Sequence, residues 1–170
     1  HKLARVNLPT FHQLRTALLF SLAFFAIDWL SYIHPLGHLN ITPWNPPAGL
    51  EVLFLFSVGI SWIAWVYITL GISDWLVRES FLFSPAVVLG NAMLVLCYAG
   101  IAASLRTVLH GKAHLRDPIE VGSVSAITLA GALVTGCLYV GLQTLIGALR
   151  PTDFWTALHR FVVGDLLGLM

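Results

Sequence analysis

The chain has 170 residues, of which 58% are hydrophobic and only 10% are charged, and its mean hydropathy is +0.84. Soluble domains carry about 25% charged residues, so nine Lys and Arg with eight Asp and Glu are too few to cover a water-soluble protein of this size. The near balance of these charges excludes a nucleic-acid-binding module, and the hydrophobic content excludes disorder. We therefore interpret the chain as an integral membrane protein.

Five apolar runs follow a polar N-terminal segment, residues 1–15, that we assign to the cytoplasm. The runs cover residues 16–33, 48–77, 84–105, 121–149 and 154–170. The hydrocarbon layer of a membrane is about 30 Å thick, and a helix of about 20 residues is long enough to cross it. The second run is too long for one crossing and is interrupted at Gly59-Ile60-Ser61. The sequence predicts an all-α, polytopic transmembrane bundle over residues 16–170, with about six membrane-crossing segments.

Basic residues indicate the orientation of these segments, because cytoplasmic loops are enriched in Lys and Arg. They cluster before the first run and after the third, as Lys2, Arg5 and Arg15 and as Arg106, Lys112 and Arg116. The loop 34–47 has no Lys or Arg and is placed outside. The run 48–77 must then cross an even number of times, as two short helices or a re-entrant pair. Both termini are placed in the cytoplasm, with a soluble output domain expected after residue 170.

Four acids lie at or near membrane depth, where an ionisable side chain costs a few kcal/mol. They are Asp28, Glu51, Asp74 and Asp165, and Asn91, Tyr98 and Gln143 accompany them. Asp74 is close to Arg78 in the sequence, but we expect the four acids to lack enough local cations to pair with. One interpretation is interfacial placement with hydrogen bonds between helices. The other is a polar pocket that binds a ligand or a proton. The residues alone leave both interpretations open.

The loop ITPWNPPAGL, residues 41–50, is the most informative stretch. Its three prolines remove backbone donors and make it stiff, and a Trp suits the membrane interface. We expect a rigid, uncharged element that enters the membrane from outside, either facing a ligand or only starting the next helix. The candidate ligand-binding residues are Trp44, Asn45, Pro46, Pro47, Gly49, Glu51, Asn91, Tyr98 and Asp165.

Histidines suggest a second kind of site. His34, His38 and His159 map to the outer half of the membrane, where two of them could ligate a haem iron and all three could hold copper or zinc. Imidazoles also suit the headgroup layer, which is the alternative. His110 and His114 lie in the basic middle loop, which we expect to contact membrane lipid. No metalloprotease, nucleophile-elbow, P-loop or dinucleotide motif is present in the sequence, so these residues do not identify an enzyme.

Two segments carry a resemblance to a known family. Residues 41–50, followed by an apolar run to Gly59, resemble the opening motif of the first type of membrane-associated sensor (MASE) domain. Phe154-Trp155 and the residues RFVVGDLLG at 160–168 resemble its closing helix. The span 84–106 fits the family less specifically. On this resemblance Trp44, Pro46, Pro47 and Gly49 carry the family's loop, and Gly164, Asp165 and Gly168 carry its last helix. Such domains are often longer, with more spans.

The resemblance implies a sensory input module at the N-terminus of a histidine kinase or diguanylate cyclase in the bacterial inner membrane. The last helix would pass a ligand or membrane-state signal to the output domain, and the full-length protein would be a sensor histidine kinase. A homodimer and a cytoplasmic response regulator are the implied partners. The alternative from the residues is a haem- or metal-binding membrane redox protein, or a small transporter. The ligand stays unassigned, and haem or copper are the candidate cofactors.

Overall fold

Six α-helices account for most of the residues that the structure describes. The computed structural model describes residues 10–36, 41–109 and 117–170, and in these ranges all regular secondary structure is helical. The helices, α1 to α6 in chain order, are Phe11–Ser31, Pro46–Val58, Ile63–Arg78, Pro85–Val108, Pro118–Leu145 and Phe154–Leu169. Short 3-10 turns, Ile60–Trp62 and Pro151–Asp153, lead into α3 and α6. The predicted all-α class is confirmed.

Four of the helices are long and apolar enough to cross a membrane: α1, α3 with its preceding turn, α4 and α5. The other two are shorter, because α2 has 13 residues and α6 has 16. At about 1.5 Å per residue, α2 extends only about 20 Å. The structure is therefore compatible with a membrane protein, with four helices of full-crossing length among the predicted six segments.

Local sequence signals explain where the helices begin and end. Thr10 forms a capping box with Gln13, so α1 begins at Phe11, inside the segment 1–15 that was expected to precede the first span. Ser84 accepts a hydrogen bond from the backbone N–H of Val87, and Pro85 follows as the first helical residue. Gly59 separates α2 from α3 with a φ of 109°, a conformation that glycine adopts without strain. The apolar run 48–77 is two helices, as predicted.

The short helix α2 lies at the centre of the bundle and contacts α1, α4 and α6. Asn45 directly precedes α2, and Tyr98 lies near the middle of α4. Both side chains donate a hydrogen bond to Asp165. At the other end, Arg106 of α4 donates to the carbonyl oxygen of Phe56, 3.0 Å away. The helix α2 therefore starts about halfway along α4 and runs toward its C-terminal end, and the extended residues before α2 reach the middle of the bundle.

Polarity is distributed as in a protein surrounded by lipid. Large apolar side chains such as Leu22, Trp29 and Leu145 are exposed on the outer faces, whereas five charged and three amide side chains of the described residues are buried between the helices. Apolar packing still fills much of the interior, for example where the rings of Phe20 and Phe54 stack 4.2 Å apart. An apolar exterior avoids the cost of placing polar groups in hydrocarbon.

Candidate functional site

Residues 41–45, here called the loop segment, pack into the bundle without forming a helix. Ile41, Thr42 and Asn45 are buried, whereas Pro43 and Trp44 are exposed. The Thr42 hydroxyl donates to the carbonyl oxygen of Trp44 at 2.8 Å, and the backbone N–H of Asn45 donates to the carbonyl oxygen of Gly164 at 3.2 Å. Because extended backbone inside a bundle must find partners outside itself, α6 supplies one of them.

Three glycines allow the backbones of the loop segment, α2 and α6 to touch. A Cβ atom on Gly168 would collide with the carbonyl oxygen of Asn45, and a Cβ on Gly49 would collide with the carbonyl oxygen of Gly168. A Cβ on Gly164 would lie 2.5 Å from the carbonyl oxygen of Thr42. Gly164 and Gly168 are four residues apart, which is the small-residue spacing typical of close helix contacts in membranes. This spacing could have been recognised in the sequence, and it was missed.

Asp165 stands between these two glycines and organises a buried polar group, here called the Asp165 cluster, with Asn45, Tyr98 and Glu51. The side-chain amide of Asn45 donates to one carboxylate oxygen of Asp165 at 2.7 Å, and the hydroxyl of Tyr98 donates to the other at 2.9 Å. Asp165 is 0% exposed and Tyr98 is 1% exposed. The structure thus brings together three predicted site residues from the loop segment, α4 and α6.

Glu51 is assigned to this cluster because it is a buried acid on α2, which packs against α6, but among the described residues it makes no comparable hydrogen bond. It shares the buried face of α2 with Ala48, Val52 and Leu55, and it is 2% exposed. Its Oε2 atom is buried and has no hydrogen-bond partner among the described residues. Asp165 on the neighbouring helix α6 is also a buried acid, so the two carboxylates repel each other when both are ionised.

A second buried polar group, here called the Arg78 cluster, joins α1, α3 and α4. The Arg78 guanidinium donates to both carboxylate oxygens of Asp28 at 2.7 and 2.9 Å, and to Asp74 at 2.9 Å. Ser73 also donates to Asp28, at 2.5 Å, and the amide of Asn91 donates to Asp74 at 2.7 Å. The interpretation of Asp28 and Asp74 as helix-to-helix contacts is thereby supported.

Two expectations about these acids need correction. The four acids were expected to lack enough local cations, yet Arg78 pairs with two of them. Sequence spacing revealed the Asp74–Arg78 pair, but Asp28 lies 50 residues from Arg78 and only folding brings them together. Asn91 was expected beside Tyr98 in one ligand site, whereas it binds Asp74 in the Arg78 cluster.

The remaining predicted residues lie around the clusters. Pro46 and Pro47 form the first turn of α2, where missing N–H groups cost nothing, and the Trp44 side chain is 46% exposed. His34 and His159 are both exposed, and His38 lies outside the described residues. No group of three or more His, Cys, Asp and Glu side chains that could hold a metal ion occurs in the described ranges. The described histidines thus offer no support for the haem or copper hypothesis.

Comparisons of the chain with protein-family models, with curated proteins and with solved structures give no match. The resemblance to the sensor family stays a prediction from the sequence, and its most specific segments are the loop and the last helix. These are also the two segments that meet at the Asp165 cluster, through Asn45 and Asp165. The function is accordingly inferred from the way this cluster connects the elements around it.

Proposed function

We propose that this chain is the sensory input domain of a bacterial membrane signalling protein, and that α6 transmits its signal to a cytoplasmic histidine kinase or cyclase. The observation that carries the proposal is the attachment of α6 to the loop segment. Asn45 holds α6 twice, through its backbone N–H to Gly164 and through its side chain to Asp165. A change in the loop segment therefore acts directly on the last helix.

The loop segment and α6 are coupled because their backbones are in direct contact. Backbone touches backbone at Gly164 and Gly168, so no flexible side chain can absorb a displacement there. The three prolines at 43, 46 and 47 stiffen the segment and the start of α2. Closely packed interfaces respond to small shifts by changing between discrete arrangements rather than by deforming gradually. A ligand that displaces the loop segment would shift or rotate α6.

The proposed topology has six membrane-associated segments, with both termini in the cytoplasm of a bacterial inner membrane. The pairing of Arg106 with the end of α2 supports it, because the C-terminal ends of α2 and α4 then share one side. The ion pair between Arg78 and Asp28 likewise places the C-terminal ends of α1 and α3 together. Kinase and cyclase output domains of this kind act as dimers, so we propose a homodimer. When the output domain is a kinase, it would phosphorylate a cytoplasmic response regulator.

The test uses the protein encoded by the whole reading frame, in membrane vesicles, with autophosphorylation or cyclic-dinucleotide synthesis as the readout. Asn45→Ala removes the side-chain hydrogen bond to Asp165. Hydrogen bonds to charged groups contribute about 1.5–3 kcal/mol, and about 1.4 kcal/mol corresponds to a tenfold change in an equilibrium. We expect Asn45→Ala to change the basal output by about tenfold.

The matched control is Leu167→Ala, because Leu167 lies on the same helix but is 58% exposed. This variant is expected to retain the wild-type output. The proposal is wrong if the reading frame encodes no output domain beyond residue 170. It is also wrong if Asn45→Ala and Leu167→Ala give the same output at equal protein levels in the membrane.

A further inference from the structure

Glu51 is a buried acid whose negative charge, when it is ionised, is not matched by the surrounding described helices. Its side chain is 2% exposed, and Oε2 has no hydrogen-bond partner among the described residues. Burying an ionised carboxylate without a partner is costly, and such groups in membrane helices mark ion or substrate sites. Glu51 lies in the second turn of α2, where the helix dipole offsets only a small part of that cost.

The described charged side chains on the adjoining elements do not supply a countercharge. Asp165 on α6, Asp28 on α1 and Asp74 on α3 are buried acids, and their negative charges repel that of Glu51. Arg78, the buried cation among the described residues, is bound to Asp28 and Asp74. The environment of Glu51 is therefore negative overall.

The neighbouring donor atoms suit a small, hard cation. Tyr98 and Asn45 each donate one hydrogen to Asp165, which leaves the hydroxyl lone pairs and the amide oxygen to face other partners. With the two carboxylates, the cluster offers only oxygen ligands, as alkali and other hard cations prefer. Two neutral donors stabilise the Asp165 carboxylate, whereas Oε2 of Glu51 has no donor among the described residues, so Glu51 is the group that a bound positive charge would stabilise most.

We propose that Glu51 and Asp165 form a binding site for one positive charge, an alkali cation or a proton, between α2 and α6. Unwound backbone carbonyls inside the membrane are a recurrent setting for sodium and proton sites, and the loop segment provides unwound backbone here. Occupancy removes the repulsion between the two carboxylates and holds α6 against α2. Resting on the proposed function, this inference names the signal as the cation concentration or acidity at the membrane.

The experiment measures the thermal unfolding midpoint of the full-length protein in lipid nanodiscs. Sodium or potassium chloride replaces choline chloride at constant ionic strength, and the series is repeated at several pH values. Because a ligand that binds only the folded state stabilises it in proportion to the logarithm of its excess concentration, the midpoint is expected to rise with the alkali cation or with acidity. A rise with the alkali cation concentration identifies the bound species as a metal cation, and a rise with acidity identifies it as a proton.

Glu51→Gln removes the charge with little change of shape and is expected to lose this rise. Glu79→Gln is the matched control, because Glu79 is exposed at the end of α3, and it is expected to keep the rise. The cation site is refuted if the wild-type midpoint depends on neither alkali cation nor pH, or if Glu51→Gln responds as the wild type does. A response to calcium or magnesium alone would refute a site for a single charge.

A second measurement decides the matter if Glu51→Gln fails to fold. Infrared difference spectra of the wild-type protein, recorded on exchange of choline for sodium and on acidification, report the carbonyl stretch of buried carboxyl groups. A change in that band supports the site, and an unchanged spectrum refutes it.

If the cation dependence is absent while Asn45→Ala still alters the output, only the cation site fails. If the dependence is present but the output ignores Asn45→Ala, only the proposed sensory function fails.

Discussion

Gly164→Ala tests the close contact between α6 and the loop segment. The new Cβ would lie 2.5 Å from the carbonyl oxygen of Thr42 and 3.4 Å from backbone atoms of Pro43 and Trp44. Ordinary contact begins near 3.4 Å, so one backbone must move by about 0.9 Å. Overpacking of this kind costs about 1–3 kcal/mol, and the shift also strains the hydrogen bonds of Asn45.

Gly141→Ala in α5 is the matched control, since a Cβ there meets nothing within 4 Å. Alanine is favoured over glycine in a helix by about 0.5–1 kcal/mol, so this variant should be slightly stabilised. Because both glycines lie in helices, this gain applies to both variants and cancels, so they should differ by about 1–3 kcal/mol in the free energy of unfolding. At roughly 2–4 °C per kcal/mol, thermal unfolding in nanodiscs should separate their midpoints by about 2–12 °C. Equal midpoints would refute the contact.

Two further substitutions test the buried clusters by the same unfolding assay. Arg78→Met leaves two buried acids without their cation and should cost about 3–5 kcal/mol. The control is Arg150→Met, because the Arg150 side chain is 83% exposed in its ion pair. It should lower the free energy of unfolding by less than about 1 kcal/mol, and equal losses for the two variants would contradict the buried ion pairs of Arg78. Tyr98→Phe removes one of two hydrogen bonds to Asp165 and should cost about 1–3 kcal/mol. The control is Tyr67→Phe, which removes only a long hydrogen bond of 3.4 Å to the carbonyl oxygen of Val88. It should lower the free energy of unfolding by less than Tyr98→Phe does, and a larger loss for Tyr67→Phe would contradict the Asp165 cluster.

Most of the helices were predictable because their signals are local. The break near Gly59 and the Ser84-Pro85 start both appear in the structure where the sequence places them. The start of α1 was placed five residues late, at residue 16 instead of Phe11, because hydropathy detects the apolar run and not the capping box that precedes it. Five apolar runs and the charge asymmetry that divides one of them predict about six segments, whereas four of the described helices have full-crossing length.

The candidate site was predictable as a set of unusual residues, but not as two separate clusters. A buried acid stands out in an apolar run whatever its partner, so Asp28, Glu51 and Asp165 could be singled out from the sequence. Which of them is neutralised depends on contacts between residues far apart in the chain. Arg78 reaches Asp28 across 50 positions, and Asn45 reaches Asp165 across 120. Neither distance leaves a periodic signal.

By itself, the sequence determines an all-helical chain with an apolar exterior, because hydropathy and helix capping act over a few residues. Only the tertiary structure decides that the loop segment reaches the middle of the bundle and that α6 closes on it through Gly164 and Gly168. It also decides that Arg78 compensates Asp28 and Asp74 while Glu51 is left beside Asp165. The physical reason is that charge compensation and backbone contact are pairwise properties, set by which helices become neighbours.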